Sequence, residues 1–157
     1  MASILLSLTI LISVYILGCA VKLGIPESLS ETYYSLGKHG WVFQTLVFLI
    51  GALLLPAWLF LSENSHQFLV FLSCASLCFV AFTPCFKQEL QGKVHYSAAI
   101  VCCISVFTWQ ILEELWGATL WFVWIGGMLT LINRSKWCWW LEISAIGSLF
   151  VNLWRIV

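Results

Sequence analysis

From Trp41 to Leu61 the chain reads WVFQTLVFLIGALLLPAWLFL, without one charged residue. That is about the length, roughly 20 apolar residues, that a helix needs to cross a bilayer. A helix apolar on every face has no side to offer water, so it lies in lipid or deep inside a large protein. The rest of the chain decides for lipid. Of 157 residues, 62% are hydrophobic and 9% charged, against roughly 25% charged in an ordinary soluble domain. A water-facing surface cannot be built from that supply.

Outward from this run, apolar stretches recur at Ala2 to Val21, Phe68 to Phe82, Val94 to Leu112, Trp116 to Ile132 and Trp137 to Val157. The expected fold is all-α: a single polytopic transmembrane helix bundle over 1–157, with six spans at about 2–21, 41–61, 68–82, 94–112, 116–132 and 137–157. Six spans of about 20 residues use roughly 120 positions and leave only short loops. Ten Trp and four Tyr are present, and Trp41, Trp116, Trp137, Trp139 and Trp140 fall at the ends of apolar runs, as in an interfacial aromatic belt. The narrowest break is Glu113 to Leu115, so a five-span arrangement is the competing reading.

Loop charge discriminates between these arrangements, because Lys and Arg gather on the cytoplasmic side. With six spans, the odd-numbered loops hold Lys22, Lys38, Lys87, Lys93, Arg134 and Lys136, and the other side holds only Arg155. The odd loops are therefore expected in the cytoplasm and both termini outside, in a multi-pass integral membrane protein (inner membrane if bacterial). The first run ends near a loose lipoprotein-like site, Ile16-Leu17-Gly18-Cys19. No Lys or Arg precedes it, and it is long enough to span, so a span is expected there rather than a signal peptide.

Net charge is zero, with no basic face, which excludes nucleic acid as a partner. The expected partners are the lipid bilayer, a small-molecule or lipid ligand, and further copies or subunits in a homo-oligomer or membrane complex. Seven cysteines, an odd number scattered through apolar runs, do not form a disulfide framework and read as small packing residues. His39 and His66 fall on opposite faces of the six-span arrangement, and no H-x-x-x-H, G-x-S-x-G or P-loop occurs, so no cofactor or metal is expected.

Between the first two runs, Ser28 and Glu31 have capping-box spacing and Gly37 is a plausible stop. Ile25, Leu29, Tyr33 and Leu36 would share one face of a short juxtamembrane helix lying on the cytoplasmic surface. An irregular segment or a gate over a cavity are the alternatives. Ser28 and Ser30, near the membrane surface, are conceivable nucleophiles, but caps and turns account for them there without chemistry. Pro56 should kink the second span or free a carbonyl. Gly126, Gly127, Ala98, Ala99, Cys74, Cys78 and Ala81 should permit close helix approach.

Glu142 is the one carboxylate well inside a run, roughly 7 to 8 Å along a helix from the last positive loop. A charge at the bilayer centre costs about 2.5 to 3.5 kcal/mol on insertion scales, so Glu142 should be protonated, paired, in a wet cavity, or snorkelling to the headgroups. Glu142, Ala145, Ser148, Asn152 and Arg155 recur at intervals of three or four and form a small, polar stripe that should face the bundle. His95 opens the fourth run on a face continued by Ala98, Ala99, Cys102 and Ser105. It is read either as a proton relay or headgroup ligand, or as a packed histidine bonded to a loop. The candidate ligand-binding or proton-relay set is Glu142 and His95 in one cytoplasmic-side cavity, Tyr33, Tyr34 and Arg134 near its mouth, and Asn152 along the stripe.

The order of these features resembles a small bacterial six-span membrane family of unassigned function. That family has a serine-containing juxtamembrane segment after span one, then a proline and a His-x-x-x-Ala opening span four. Here these are Ser28-Leu29-Ser30, Pro84 and His95-Tyr96-Ser97-Ala98-Ala99, in which the third residue after His is Ala98 and the fourth Ala99. The resemblance implies an architecture and no reaction. Alkaline-ceramidase-type membrane hydrolases also set Ser, Asp and several His across such a bundle. This chain has no Asp and lacks their histidine cluster, so their catalysis is not carried over. Three functions fit: binding or moving a small solute, proton or lipid headgroup through a cytoplasmic-side polar cavity; an intramembrane enzyme acting on a lipid, with His95 and Glu142 as acid and base; and a non-catalytic subunit of a membrane complex.

Overall fold

The computed structural model describes all of residues 1–157 and is entirely helical. Its seven α-helices are α1 (Ala2–Leu23), α2 (Thr32–Ser35), α3 (Trp41–Leu61), α4 (Gln67–Phe82), α5 (Glu89–Leu112), α6 (Trp116–Ile132) and α7 (Trp137–Ile156). Four segments are long and apolar enough to cross a membrane: Ala2–Leu23, Gly37–Leu61, Asn64–Phe82 and Glu89–Leu112. Helix α6 is apolar but shorter, at 17 residues. Helix α7 has the length, 20 residues, but its polar stripe dilutes its apolar character. The chain has the architecture of a membrane helix bundle.

Helix ends follow local chemistry. Gly24, at φ 74°, takes the left-handed conformation that glycine adopts without strain and turns the chain back after α1. Helix α5 starts five residues before the apolar run does, at Glu89: Glu, Leu, Gln and Lys are good helix formers, and the acidic Glu89 suits the first turn, although Gly92 and the polar residues leave no hydropathy signal. Between α5 and α6, Glu114 is left-handed at φ 57°, so the two are separate helices. Helix α3 continues through Pro56. The missing proline N–H leaves the Ala52 carbonyl without its usual donor.

Packing runs α3 on α4, α4 on α5 and α6 on α7, while α5 touches α6 only sparsely. The core joins Leu5, Leu8 and Ile12 of α1 to Ile50, Leu54 and Trp58 of α3, Trp109 of α5 and Leu153 of α7. Gly126 is a close-approach site: a Cβ there would collide with the Ser144 side chain and lie 3.4 Å from the Trp140 carbonyl of α7. Its neighbour Gly127 faces open space, so only one of the expected pair works in this way. Gly51 does the same for α3 and α4, 3.3 Å from the Cys74 carbonyl and the Cys78 thiol.

The connections carrying Lys22, Lys38, Lys87, Arg134 and Lys136 meet at one end of the bundle, where Lys87 Nζ pairs with Glu31 Oε1 at 2.8 Å and the Trp139 N–H donates to the Glu27 carbonyl at 3.0 Å. At the opposite end, the first half of α1 meets the last turn of α7, and Trp154 Nε1 donates to Thr9 Oγ1 at 3.1 Å.

The segment between α1 and α3 departs from the surface-lying helix the sequence suggests. Only Thr32–Ser35 is α-helical, followed by a 3-10 turn at Gly37–His39. Leu29, Ser30 and Thr32 are buried inside the end of the bundle, whereas Ile25 is exposed. Half of the capping box forms, with the Glu31 N–H donating to Ser28 Oγ at 3.1 Å. The segment enters the bundle because its polar groups find partners there that a headgroup layer need not supply.

Candidate functional site

Residues 27–34 plug the end of the bundle and are tied to nearly every helix around them. The Thr32 hydroxyl donates to the Leu29 carbonyl at 2.6 Å, so the Tyr15 hydroxyl of α1, 2.5 Å away, donates to Thr32. On the α7 side, the Glu27 carbonyl accepts from Trp139, whose N–H lies in the first turn of α7 and has no partner within the helix. Three residues further along α7, Glu142 Oε2 accepts the Leu29 N–H at 2.5 Å. Glu142 is thus turned onto the plug and helps to hold it.

His95 of α5 is held from both sides. Its Nδ1 lies 2.9 Å from the Thr83 carbonyl and its Nε2 lies 2.9 Å from Ser30 Oγ. A carbonyl only accepts, so Nδ1 carries the proton, and Nε2 accepts from the serine hydroxyl. Thr83 follows the last residue of α4 and precedes Pro84, whose ring disfavours helical geometry at residue 83 and so ends the helix there. The Phe86 ring stacks on the imidazole at 4.9 Å between centroids. Ser28–Ser30, Pro84 and His95, far apart in sequence, thus converge at one place.

Beside these groups, α5 stands apart from the α6–α7 pair and leaves a cleft of about 660 Å³. Its polar end is formed by Glu27, Ser28, Ser30, Glu31, His95 and Glu142. Its depth is apolar, with Ile100, Ile104 and Phe107 of α5 facing Val123 of α6 and Leu141 of α7. Every formally charged side chain on the lining is a carboxylate, and one of them, Glu31, is paired with Lys87, which is off the lining. A smaller apolar cavity of about 160 Å³ adjoins it and shares Ser30, Ala99, Cys103 and Glu142.

The chain matches no protein-family model, no curated protein and no solved structure. What it can do is read from this geometry.

Of the residues singled out from sequence, Glu142 and His95 line the same cleft, joined through consecutive residues of the plug, Leu29 and Ser30. The others stand elsewhere. The Tyr33 hydroxyl bonds Cys85 Sγ at 3.7 Å, which pushes the phenol pKa up. The Tyr34 hydroxyl accepts from the Lys87 N–H at 3.1 Å, and its ring lies under the Lys87 ammonium. The hydrogen bond from Lys87 to the Glu31 carboxylate holds that ammonium above the usual lysine range. Both tyrosines brace the plug and do not line the cleft. Arg134 sits in the turn Arg134–Lys136, off the lining.

Asn152 belongs to a different cluster, nearer the end that carries the termini. Its Nδ2 donates to Gln110 Oε1 at 3.1 Å and to Thr119 Oγ1 at 3.0 Å, while Gln110 Nε2 donates to Ser148 Oγ at 3.3 Å. Along the polar stripe of α7, Ser148 and Asn152 are fully buried, Ala145 lines the cleft and Arg155 is exposed. No three of the His, Cys and Glu side chains are grouped so as to hold a metal.

Ser30 is the site residue that the sequence offers as a conceivable nucleophile and then explains away as a turn residue. Its only signal was position, within the Ser28-Leu29-Ser30 motif, and the turn role assigned to it hid its pairing with His95.

Proposed function

We propose that this is a six-span membrane protein, with both ends outside and the plugged end in the cytoplasm, that binds one amphiphile with an uncharged or cationic head in the cleft between α5 and α6–α7. The observation that carries this reading is how the cleft is divided. One end offers hydroxyls, an imidazole and three carboxylates; the rest is mostly apolar side chain, with Ser144 among it. Its volume lies within the range of roughly 300 to 1,000 Å³ usual for small-molecule sites. A phosphate head would meet Glu27 and Glu142 with no cation on the lining to balance them, Lys87 being already paired with Glu31, whereas a polyol or amine would find acceptors.

Six spans are supported by the separation of α5 from α6 and by helix lengths. At 1.5 Å per residue, α6 is about 25 Å long and α7 about 30 Å, against a hydrocarbon core of about 30 Å. The gathering of six of the seven cations at the plugged end supports the orientation.

The reading is tested by native mass spectrometry of the protein offered a monoacylglycerol, a long-chain amine and a lysophosphatidic acid of equal chain length. The first two should bind at one copy per chain and the third at least tenfold more weakly. Equal binding of all three, or preference for the phosphate, would remove the proposal.

A further inference from the structure

We infer that Ser30 is a nucleophile with His95 as its general base, and that the cleft cleaves an acyl ester of the amphiphile it holds; this rests on the amphiphile reading above. Three observations carry it. First, the Ser30 hydroxyl is aimed at an imidazole nitrogen whose lone pair is fixed: Nδ1–H is committed to the Thr83 carbonyl, so Nε2 has no state but acceptor while the ring is neutral. This is the orienting role that a third group plays for a catalytic histidine, performed here by a backbone carbonyl. Second, both side chains border the cleft, at the junction of its polar end with its apolar depth, where the ester of an amphiphile bound as above would lie. Third, the Leu29 and Glu31 N–H groups are bonded to Glu142 and Ser28, while the Ser30 N–H between them has no acceptor in the protein. That leaves a donor beside the nucleophile for a developing oxyanion.

In the first step Ser30 Oγ bonds to the ester carbonyl carbon as its proton passes to His95 Nε2. The imidazolium so formed faces the Thr83 carbonyl at the carboxyl end of α4, the negative end of that helix. The carbon–oxygen bond to the alcohol then breaks, and the alcohol leaves with the proton from His95. Water entering from the polar end attacks the acyl-serine, gives one proton to His95 and releases the carboxylic acid, and Ser30 Oγ regains that proton. The sum is ester plus water giving acid plus alcohol, with no change of oxidation state. The adjoining cavity of about 160 Å³ is close to the roughly 150 Å³ of an apolar cavity known to take benzene, room for a short acyl end.

The test uses the full chain in lipid nanodiscs with a long-chain alkyl fluorophosphonate, followed by peptide mapping, and with monoacylglycerol binding measured in parallel. Wild type should be labelled on Ser30, Ser30→Ala should not be labelled, and His95→Gln should label about 100-fold more slowly or worse. Should those variants fold poorly, Ser30→Cys keeps the size of the side chain, and its thiol should be alkylated faster than the seven native thiols of the same chain, equal rates overturning the base. A wild type that binds monoacylglycerol but takes no label on Ser30 overturns the nucleophile and leaves the binding reading standing. One that labels on Ser30 without binding any amphiphile supports the nucleophile and overturns the binding reading. Neither label nor binding overturns both.

Discussion

Near the end of the bundle that carries the chain termini, Gln110, Thr119, Ser148 and Asn152 bond chiefly to one another, all buried, and only Asn152 Oδ1 in this group lacks a partner. At the opposite end, His95 and Glu142 bond instead to Ser30 and Leu29, residues of a plug that belongs to no long helix, and they border a cleft. Both regions solve the same problem, because a polar group left unpaired away from water is costly. The first solves it with side chains of three helices, which leaves only Asn152 Oδ1 without a partner. The second relies on a short segment held by a handful of hydrogen bonds, beside open space. Buried polarity alone therefore does not mark a site; polarity satisfied by a separable element next to a cavity does.

The largest stability effect should come from the closed cluster. Gln110→Leu would take one hydrogen-bond partner each from Asn152, Thr119 and Ser148 in the interior, and a loss of about 2 kcal/mol is expected from breaking such a buried network. Equilibrium unfolding in detergent measures it. Amphiphile selectivity should be unchanged in the fraction that folds, and altered selectivity would mean the two ends are not independent.

A smaller, local effect is expected from Glu142→Gln. The side chain keeps its shape, but the Leu29 N–H then bonds a neutral acceptor, which weakens that contact by about 1 kcal/mol. Hydrogen exchange across residues 27–36 should speed up several-fold while α3 and α4 stay as protected as before. Uniform loss of protection would show that Glu142 supports the whole bundle and not the plug.

The smallest effect should follow Lys87→Met. The Lys87–Glu31 pair is solvent-exposed on the lysine side, and such pairs contribute little in water. No measurable change in thermal midpoint is expected. A clear drop would mean that the pair clamps the plug and that the comparison between a rigid end and a separable one is drawn too sharply.

The helices were legible because hydropathy and helix length are local properties: Trp116–Ile132 has the expected bounds, and α4 differs by one residue. The start of α5 was not, since Glu89 to Lys93 is polar and helical at once. Glu142 and His95 could be found because a carboxylate or imidazole in an apolar run stands out. The pairing of Ser30 could not. It lies 65 residues from His95 in sequence, on a segment whose apolar spacing suggests a surface helix, and only the fold brings the two together. The placement of Tyr33, Tyr34 and Asn152 was illegible for the same reason: spacing assigns a helix face, but does not say which neighbour that face meets.

The central claim, that the cleft between α5 and α6–α7 holds the chain of an amphiphile, is tested most directly by photo-crosslinking. The protein in nanodiscs is exposed to a monoacylglycerol carrying a diazirine in mid-chain, and the modified residues are mapped. Saturable labelling of Ile100, Ile104, Phe107 and Val123 is expected, competed away by unlabelled monoacylglycerol and reduced by Ala99→Trp, which would fill the space where the cleft and its adjoining cavity meet. Non-saturable labelling confined to the lipid-facing side of α1, at Leu6, Ile10, Val14 and Leu17, with none in the cleft, would contradict it.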